Sequence, residues 1–406
     1  MHKYLKYSDL IKFKPISPKR CAASVSDNVR CEYYQSPRTV TNLTPAGYTS
    51  YTKYSVYDID DNGKIVRVSV RIPKFKDSDG TIREEYFETV TDEYTDAAFS
   101  ALHQDFCDLS CTFEFLQSKY PLGKNASKHA LELLLPWAQK KHCFPEYPSK
   151  FSYLWFVAVP YKTTTLTFCL NCSPDAESIY DICVGNDFEK LHQLERSVFL
   201  QGKLSICMPA NYSLYQILKK IFPTAQYYFD KFQLLTVLEN CIKKESAYKN
   251  ILLIKRAELK SALEQLTNNS FDPIEKICNA TFNYLLGLQN CQIDELDKFL
   301  LEMESILHEQ PDFCRPYFSI PEFRSLFPLH LEDELRRFSK SRGYEPQRFA
   351  YIFLSSLKPS EKTPPQKKAR KNMWDAWQFT PQSAVSRFIK RAYSYELRYR
   401  KKQSKS

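Results

Sequence analysis

The spacing of hydrophobic positions changes several times along the chain, and each change marks a different kind of element. Met1–Thr52 shows no period and is rich in Ser, Thr and Pro. From Tyr54 to Thr89 the apolar residues alternate. "YSVYDID" and "IVRVSVRIPKF" flank "DNGK", and an Asp-Asn-Gly turn between alternating runs predicts a hairpin. "YFETVTDEY" predicts a further strand. Over Thr91–Lys141 the spacing becomes helical. "TDEYTDAAFSALHQDF" has the acidic start of a helix, and "SKHALELLLPWAQKK" predicts another, interrupted at Pro136. Together they fit a helix-turn-helix or three short helices.

Strand patterns return over Phe151–Asp230. "YLWFVAVPY" and "TTTLTFCLNC" predict a hairpin, "FEKLHQLERSVFL" a helix, "KLSICMP" a short buried strand and "YSLYQILKKIF" an amphipathic helix. Tyr227, Tyr228 and Phe229 form an aromatic run of strand type that ends at Asp230. The predicted order, β-β-α-β-α-β, is that of an α/β layer with a mixed sheet. From Gln233 to about Leu357 the period is helical almost throughout, with a Leu, Ile and Phe stripe that reads as bundle core. "LKPSEKTPPQKKARK" reads as a linker, and "AVSRFIKRAYSYELRYRKK" closes the chain with a helix-like pattern.

Composition removes several functional classes. The chain has 406 residues but only 8 Gly, and neither glycine-rich phosphate-loop motif occurs. No apolar run approaches the ~18 residues needed to span a bilayer, and the first residues lack a signal-peptide core. These features predict a cytoplasmic protein with no membrane partner. The 13 Cys are scattered. Cys107 with Cys111 and Cys169 with Cys172 are close pairs, but neither has a matching second pair at zinc-site spacing, so reduced and largely buried thiols are expected.

Charge changes the picture at the C-terminus. Residues 358–406 hold 14 Lys and Arg against 3 Asp and Glu, whereas the whole chain carries a net charge of only +10. Aromatic residues interleave with these cations: Trp374, Trp377, Phe379, Phe388, Tyr393, Tyr395 and Tyr399. Basic and aromatic residues together favour contact with nucleic acid over a merely solvated tail. The expected contacts are Lys367, Lys368, Arg370, Lys371, Arg387, Lys390, Arg391, Arg398, Arg400 and Lys401.

The segment Lys203–Cys241 resembles the ISL-three family of insertion-sequence transposases. Met208, Tyr212, Phe222, Pro223, Ala225, Asp230, Lys231 and Phe232 match the family pattern of strand, helix, Phe-Pro-x-Ala, strand and Asp-Lys-Phe, with Gln233 in place of a His. The resemblance extends in order over Ser152–Tyr395. It implies an RNase H-like core split by a helical insertion, a DNA partner, self-association, and cutting by three carboxylates that hold two Mg²⁺ ions. The implied organisation is a β-rich region like a degenerate zinc ribbon over 1–90 and helices over 91–147. An RNase H-like core follows over 150–235 with 372–396, then a helical insertion over 236–357 and a basic linker and tail over 358–406. The fold class is α/β, and α+β overall.

The family acids are missing where the sequences align. Val157, Ala158, Val159 and Pro160 stand at the first position and Cys207 at the second. Between Asp375 and Glu396 there is no acid for the third. The zinc-knuckle position reads "FKDSDGTIREEYF" and holds no Cys. One reading is therefore a lapsed transposase that binds DNA, with no cofactor. A second is an active Mg²⁺ nuclease with relocated acids: Asp175, Asp181 or Asp187 first, Asp230 second, Glu396 or Asp375 third. A third is a structural protein that binds RNA or another protein. For Asp230 itself the favoured role is a cap for the helix over Lys231–Lys243, worth ~1 kcal/mol. Cys207 and His192 are expected to be a buried thiol and a surface side chain.

Overall fold

Alternating side chains and one tight turn build the first sheet. The computed structural model describes residues 14–15, 30–35, 44–49, 55–60, 62–84, 94–108, 110–147, 150–172, 177–196, 198–199, 204–244, 248–267, 271–291, 293–341 and 344–357. The chain is a mixed α/β protein, α+β in overall class, and it divides into two compact units between Lys141 and His142. Among the described residues, no helix is long and apolar enough to cross a membrane.

The first unit holds β1 (Lys14–Pro15), β2 (Arg30–Gln35), β3 (Thr44–Tyr48), β4 (Ser55–Ile59), β5 (Ile65–Arg71), β6 (Pro73–Lys76) and β7 (Ile82–Glu84). One sheet has the order β1-β2-β5-β4 and the other β3-β6-β7. The predicted hairpin is β4–β5, paired from Ser55↔Ser69 to Ile59↔Ile65. Its turn places Gly63 at φ 73°, a conformation that a side chain would strain. Asp60 Oδ1 accepts the N–H groups of Asn62 at 3.0 Å and Lys64 at 2.9 Å and locks the turn. β2 corrects the reading of Met1–Thr52 as irregular. It pairs parallel with β5, whose backbone supplies its partners, so it needs no alternation of its own. The knuckle-like stretch is the β6–β7 hairpin, where Asp79 Oδ1 accepts the Thr81 N–H at 3.0 Å. The strand expected from "YFETVTDEY" lies mostly outside the described residues.

Three helices follow: α1 (Asp96–Cys107), α2 (Phe113–Lys119) and α3 (Ala126–Lys140). Their shared core is Phe99, Leu102, Phe106, Leu116, Leu131 and Leu134. α3 runs through Pro136 rather than stopping there, because the ring lies on the exposed face, where solvent can satisfy the carbonyl it leaves unbonded. Thr95 caps α1: its hydroxyl accepts the Ala98 N–H at 3.3 Å and donates to buried Asp58 at 2.6 Å. Thr95→Ala removes both bonds, and a destabilisation of about 1–2 kcal/mol is expected in urea titrations.

The second unit opens with β8 (Lys150–Phe151), β9 (Tyr153–Tyr161), β10 (Thr164–Cys172) and β11 (Glu177–Val184). A 3₁₀ helix over Glu189–Arg196 and β12 (Val198–Phe199), parallel to β8, come next. They are followed by β13 (Ser205–Met208), α4 (Tyr212–Ile221) and β14 (Gln226–Phe229). The main sheet has the order β11-β10-β9-β13-β14. β9, β10 and β11 run as an antiparallel meander, while β13 is parallel to both β9 and β14. β13 is buried along its whole length, as expected for a parallel strand covered on both faces.

Two elements differ from the sequence reading. β11 was not expected. A bulge between Cys169 and Leu170 of β10 sets Asp181 and Ile179 as successive partners and leaves Tyr180 between them, which breaks the alternation. The helix expected from "FEKLHQLERSVFL" is the shorter 3₁₀ segment. The residues 233–357 form α5 (Gln233–Lys244), α6 (Lys249–Glu264), α7 (Phe271–Gly287), α8 (Asp294–Glu309), α9 (Phe327–Ser341) and α10 (Pro346–Leu357). One face of the sheet meets this helical region: Trp155 packs on Phe232 and Phe323, and Phe168 on Phe327 and Phe353. On the other face Tyr227 packs edge-on against Tyr215 of α4.

Candidate functional site at the strand ends

Two groups of side chains meet at the carboxyl ends of β13 and β14, the usual place for a ligand in an α/β sheet. The first group is sealed. Asp230 follows β14 and is 1% exposed. Its backbone N–H donates to Met208 O at 2.7 Å, which continues the parallel ladder by one residue. Its Oδ1 accepts the Phe232 N–H at 3.2 Å and lies 3.5 Å from the Tyr317 hydroxyl. Burial pushes the carboxyl up to about 7, against the opposing pull of the Phe232 N–H, the Trp155 indole and the Tyr317 hydroxyl. The Trp155 Nε1 faces this carboxyl but falls short of a hydrogen bond to any described residue.

Lys231 and Glu275 form an ion pair beside it, with 2% and 6% of their surfaces exposed. Glu275 Oε1 also accepts the N–H groups of Tyr317 at 3.0 Å and Phe318 at 3.2 Å. The Tyr317 hydroxyl in turn accepts the Lys231 N–H at 3.2 Å. The cluster ties the end of β14 to α7 and to the segment between α8 and α9. Its chemistry is that of a clasp, since every member is buried and occupied by a neighbour.

The second group lines an open cleft of about 460 Å³ on the opposite face of the sheet. Ala158 and Pro160 of β9 and Pro209 and Ala210 beyond β13 form its floor. The β9–β10 turn brings Thr163, Thr164 and Thr165 to one wall, with Lys162 held at φ 53°. α5 supplies Gln233, Thr236 and Asn240, and α8 supplies Glu295, Lys298 and Glu302. Several of these groups are engaged. Gln233 Oε1 accepts the Ala210 N–H at 2.7 Å, and Glu302 Oε2 accepts the Tyr212 N–H at 2.5 Å. This places a carboxylate at the N-terminus of α4. Glu295 lies 3.4 Å from Lys244. Asn211 caps α4 through Leu214 N–H at 2.9 Å and donates to Asn186 at 3.3 Å. Among the described residues, no hydrogen bond or ion pair engages the side chains of Thr163, Thr165, Thr236, Asn240 or Lys298.

The residues singled out in the sequence do not gather into one site. Asp181 lies on β11 and Asp230 beyond β14, the two opposite edges of the five-stranded sheet. Four strand spacings, ~19 Å in all, separate them, far beyond the ~4 Å of a two-metal centre. The pairing of Asp181 with Asp230 as metal ligands is thereby corrected. Asp181 instead receives Lys190, the Tyr147 hydroxyl and the Ile182 N–H. The Lys190 ammonium is buried, which works against its charge, yet Asp181 beside it holds its pKa above the ordinary value.

Asp187 is exposed after β11, and Asp175, Asp375 and Glu396 lie outside the described residues. So do the expected nucleic-acid contacts from Lys367 to Lys401. Cys207 is fully buried opposite Trp155 and Tyr228, on the face away from the cleft. Burial, and then the neighbouring Asp230, pushes its thiol well above the usual range, so it is no nucleophile at neutral pH. His192 is on the surface between Glu189 and Glu195. Asp230 makes an Asx-type turn ahead of α5, which begins at Gln233, rather than capping a helix from Lys231.

Among the described residues, no group of three or more His, Cys, Asp or Glu is placed to hold a metal ion. Glu275, Tyr317, Asn240 and Lys298 were not singled out in the sequence. Glu275, Asn240 and Lys298 belong to helices whose period reads as bundle core, Tyr317 lies in the segment between α8 and α9, and only the fold brings them to the strand ends. Compared with models of known protein families the chain matches none, and no curated protein matches it.

Proposed function

We propose that the chain is a transposase-related DNA-binding protein whose metal-dependent cutting chemistry has lapsed. The path of the main sheet supports this reading. Three antiparallel strands run in succession, and two parallel strands then add beyond the first, an order that an RNase H-like core would also have. Cutting by two metal ions needs converging carboxylate oxygens at the strand ends. Ala158, Pro160, Pro209 and Ala210 line the cleft there, and Cys207 faces the buried side. That combination of sheet path and non-coordinating side chains carries the proposal. The 14 cations of residues 358–406, with interleaved aromatics, support a polyanionic partner.

Fluorescence anisotropy with duplex DNA across a salt series tests it. Duplex binding is expected to weaken steeply with salt. Replacing Lys367, Lys368, Arg370 and Lys371 with Ala should reduce the slope of log K against log salt by about 3–4. An unchanged slope would reject those contacts, and absence of duplex binding at low salt would favour RNA or protein as the partner. No nicking is expected with Mg²⁺ or Mn²⁺. Cleavage that a single acid-to-Ala change abolishes would overturn the lapsed chemistry.

A further inference from the structure

We infer that the open cleft between the sheet and α5–α8 binds one nucleotide of a single strand, with the base on its hydroxyl and carboxamide groups and the phosphate on Lys298. This rests on the polynucleotide reading above and assigns a second contact, separate from the basic C-terminal residues. The cleft's size lies within the ordinary range of small-ligand sites, and it sits outside the carboxyl ends of parallel strands. Charge narrows the ligand. Both carboxylates at the rim are engaged, Glu302 by the Tyr212 N–H and Glu295 by Lys244. Lys298 has no ion-pair partner among the described residues, which leaves a place for one anionic group.

The remaining polar side chains are neutral and both donate and accept. Thr163, Thr165 and Thr236 carry hydroxyls, and Asn240 carries a carboxamide. A base edge presents donors and acceptors side by side, which hydroxyls and carboxamides can match, while a simple anion uses only their donors and a hydrocarbon uses neither. The apolar floor formed by Ala158, Pro160, Pro209 and Ala210 suits the face of a planar ring. Gly185 keeps the rim open: it sits at φ 63°, and a Cβ there would meet the Thr164 hydroxyl at 3.3 Å.

Calorimetric titration of the full chain with deoxyadenosine and thymidine monophosphates, in EDTA, provides the test. Saturable binding is expected. Asn240→Ala and Thr165→Val should each weaken it about tenfold, the loss of one useful hydrogen bond. Lys298→Ala should abolish the preference for nucleotide over nucleoside. All three side chains are at least partly open to solvent, and circular dichroism of each variant checks that it folds. Photocrosslinking with an iodinated deoxyuridine monophosphate needs no variant and should label peptides from 158–167 or 233–240. No saturable binding, equal binding of a hexose, unaffected variants, or crosslinks confined to 358–406 would each overturn the site. The two proposals fail separately. Changing Lys367, Lys368, Arg370 and Lys371 should leave mononucleotide binding intact, whereas cleft variants should retain the salt-dependent duplex binding.

Discussion

Replacing Asp230 with Asn should stabilise the protein, and the gain at pH 8 should exceed that at pH 5 by about 2–3 kcal/mol. The carboxyl titrates near 3.8 when the chain is unfolded and near 7 when Asp230 is buried in the folded protein. The folded chain therefore binds this proton more tightly. Its contribution to stability is fully present below about pH 4 and is lost as pH rises through 7. The full span amounts to about 4 kcal/mol. Asn keeps an oxygen for the Phe232 N–H and carries no charge at any of these pH values, so it should flatten that part of the curve. The difference in unfolding free energy between variant and parent, measured by urea titration from pH 5 to 8.5, isolates Asp230 from other titrating groups. A difference that does not change with pH would mean that the carboxyl titrates alike in the folded and unfolded chain, so that Asp230 is not sealed from water.

The sequence placed Asp230 at a strand tip but could not show that it is buried. Its surroundings come from Tyr317, 87 residues further on, and from Glu275, 44 residues beyond Lys231. Long-range contacts of that kind leave no local period. Elements with local signals were legible. The β4–β5 hairpin follows from alternation and a Gly turn, β9 and β10 from β-branched and aromatic runs, and α4 to α10 from helical spacing. β11 was hidden by the bulge at Tyr180. β2 was hidden because its parallel neighbour supplies the pairing. The cleft was half legible. Its floor occupies the positions where acids were sought, Ala158 and Pro160, while Cys207 faces the other side because side chains alternate along a strand. Its walls come from α5 and α8, whose polar residues are visible only as the gaps in an apolar stripe.

The clasp and the cleft share one support, because both depend on the helical region holding its place against β14. Breaking the Lys231–Glu275 pair should therefore produce the largest loss of stability among the substitutions considered. Glu275→Ala strands a buried ammonium and removes the acceptor of two backbone N–H groups, at Tyr317 and Phe318. A cost of about 3–5 kcal/mol is expected, as for other buried pairs deprived of one partner. Lys231→Met leaves the carboxylate with those two N–H donors, so it should cost less. Combining Lys231→Met with Glu275→Gln removes both charges and keeps a carbonyl oxygen for Tyr317 and Phe318. The double variant should recover most of the loss, with a coupling of 1 kcal/mol or more, within the usual ~0.5–3 kcal/mol for residues in contact. Guanidinium titrations of the parent, Lys231→Met, Glu275→Gln and the double variant complete the cycle, with Glu275→Ala measured beside them. If Glu275→Ala costs under about 1 kcal/mol, or if the two single losses simply add, the pair is not the buried clasp that ties β14 to α7.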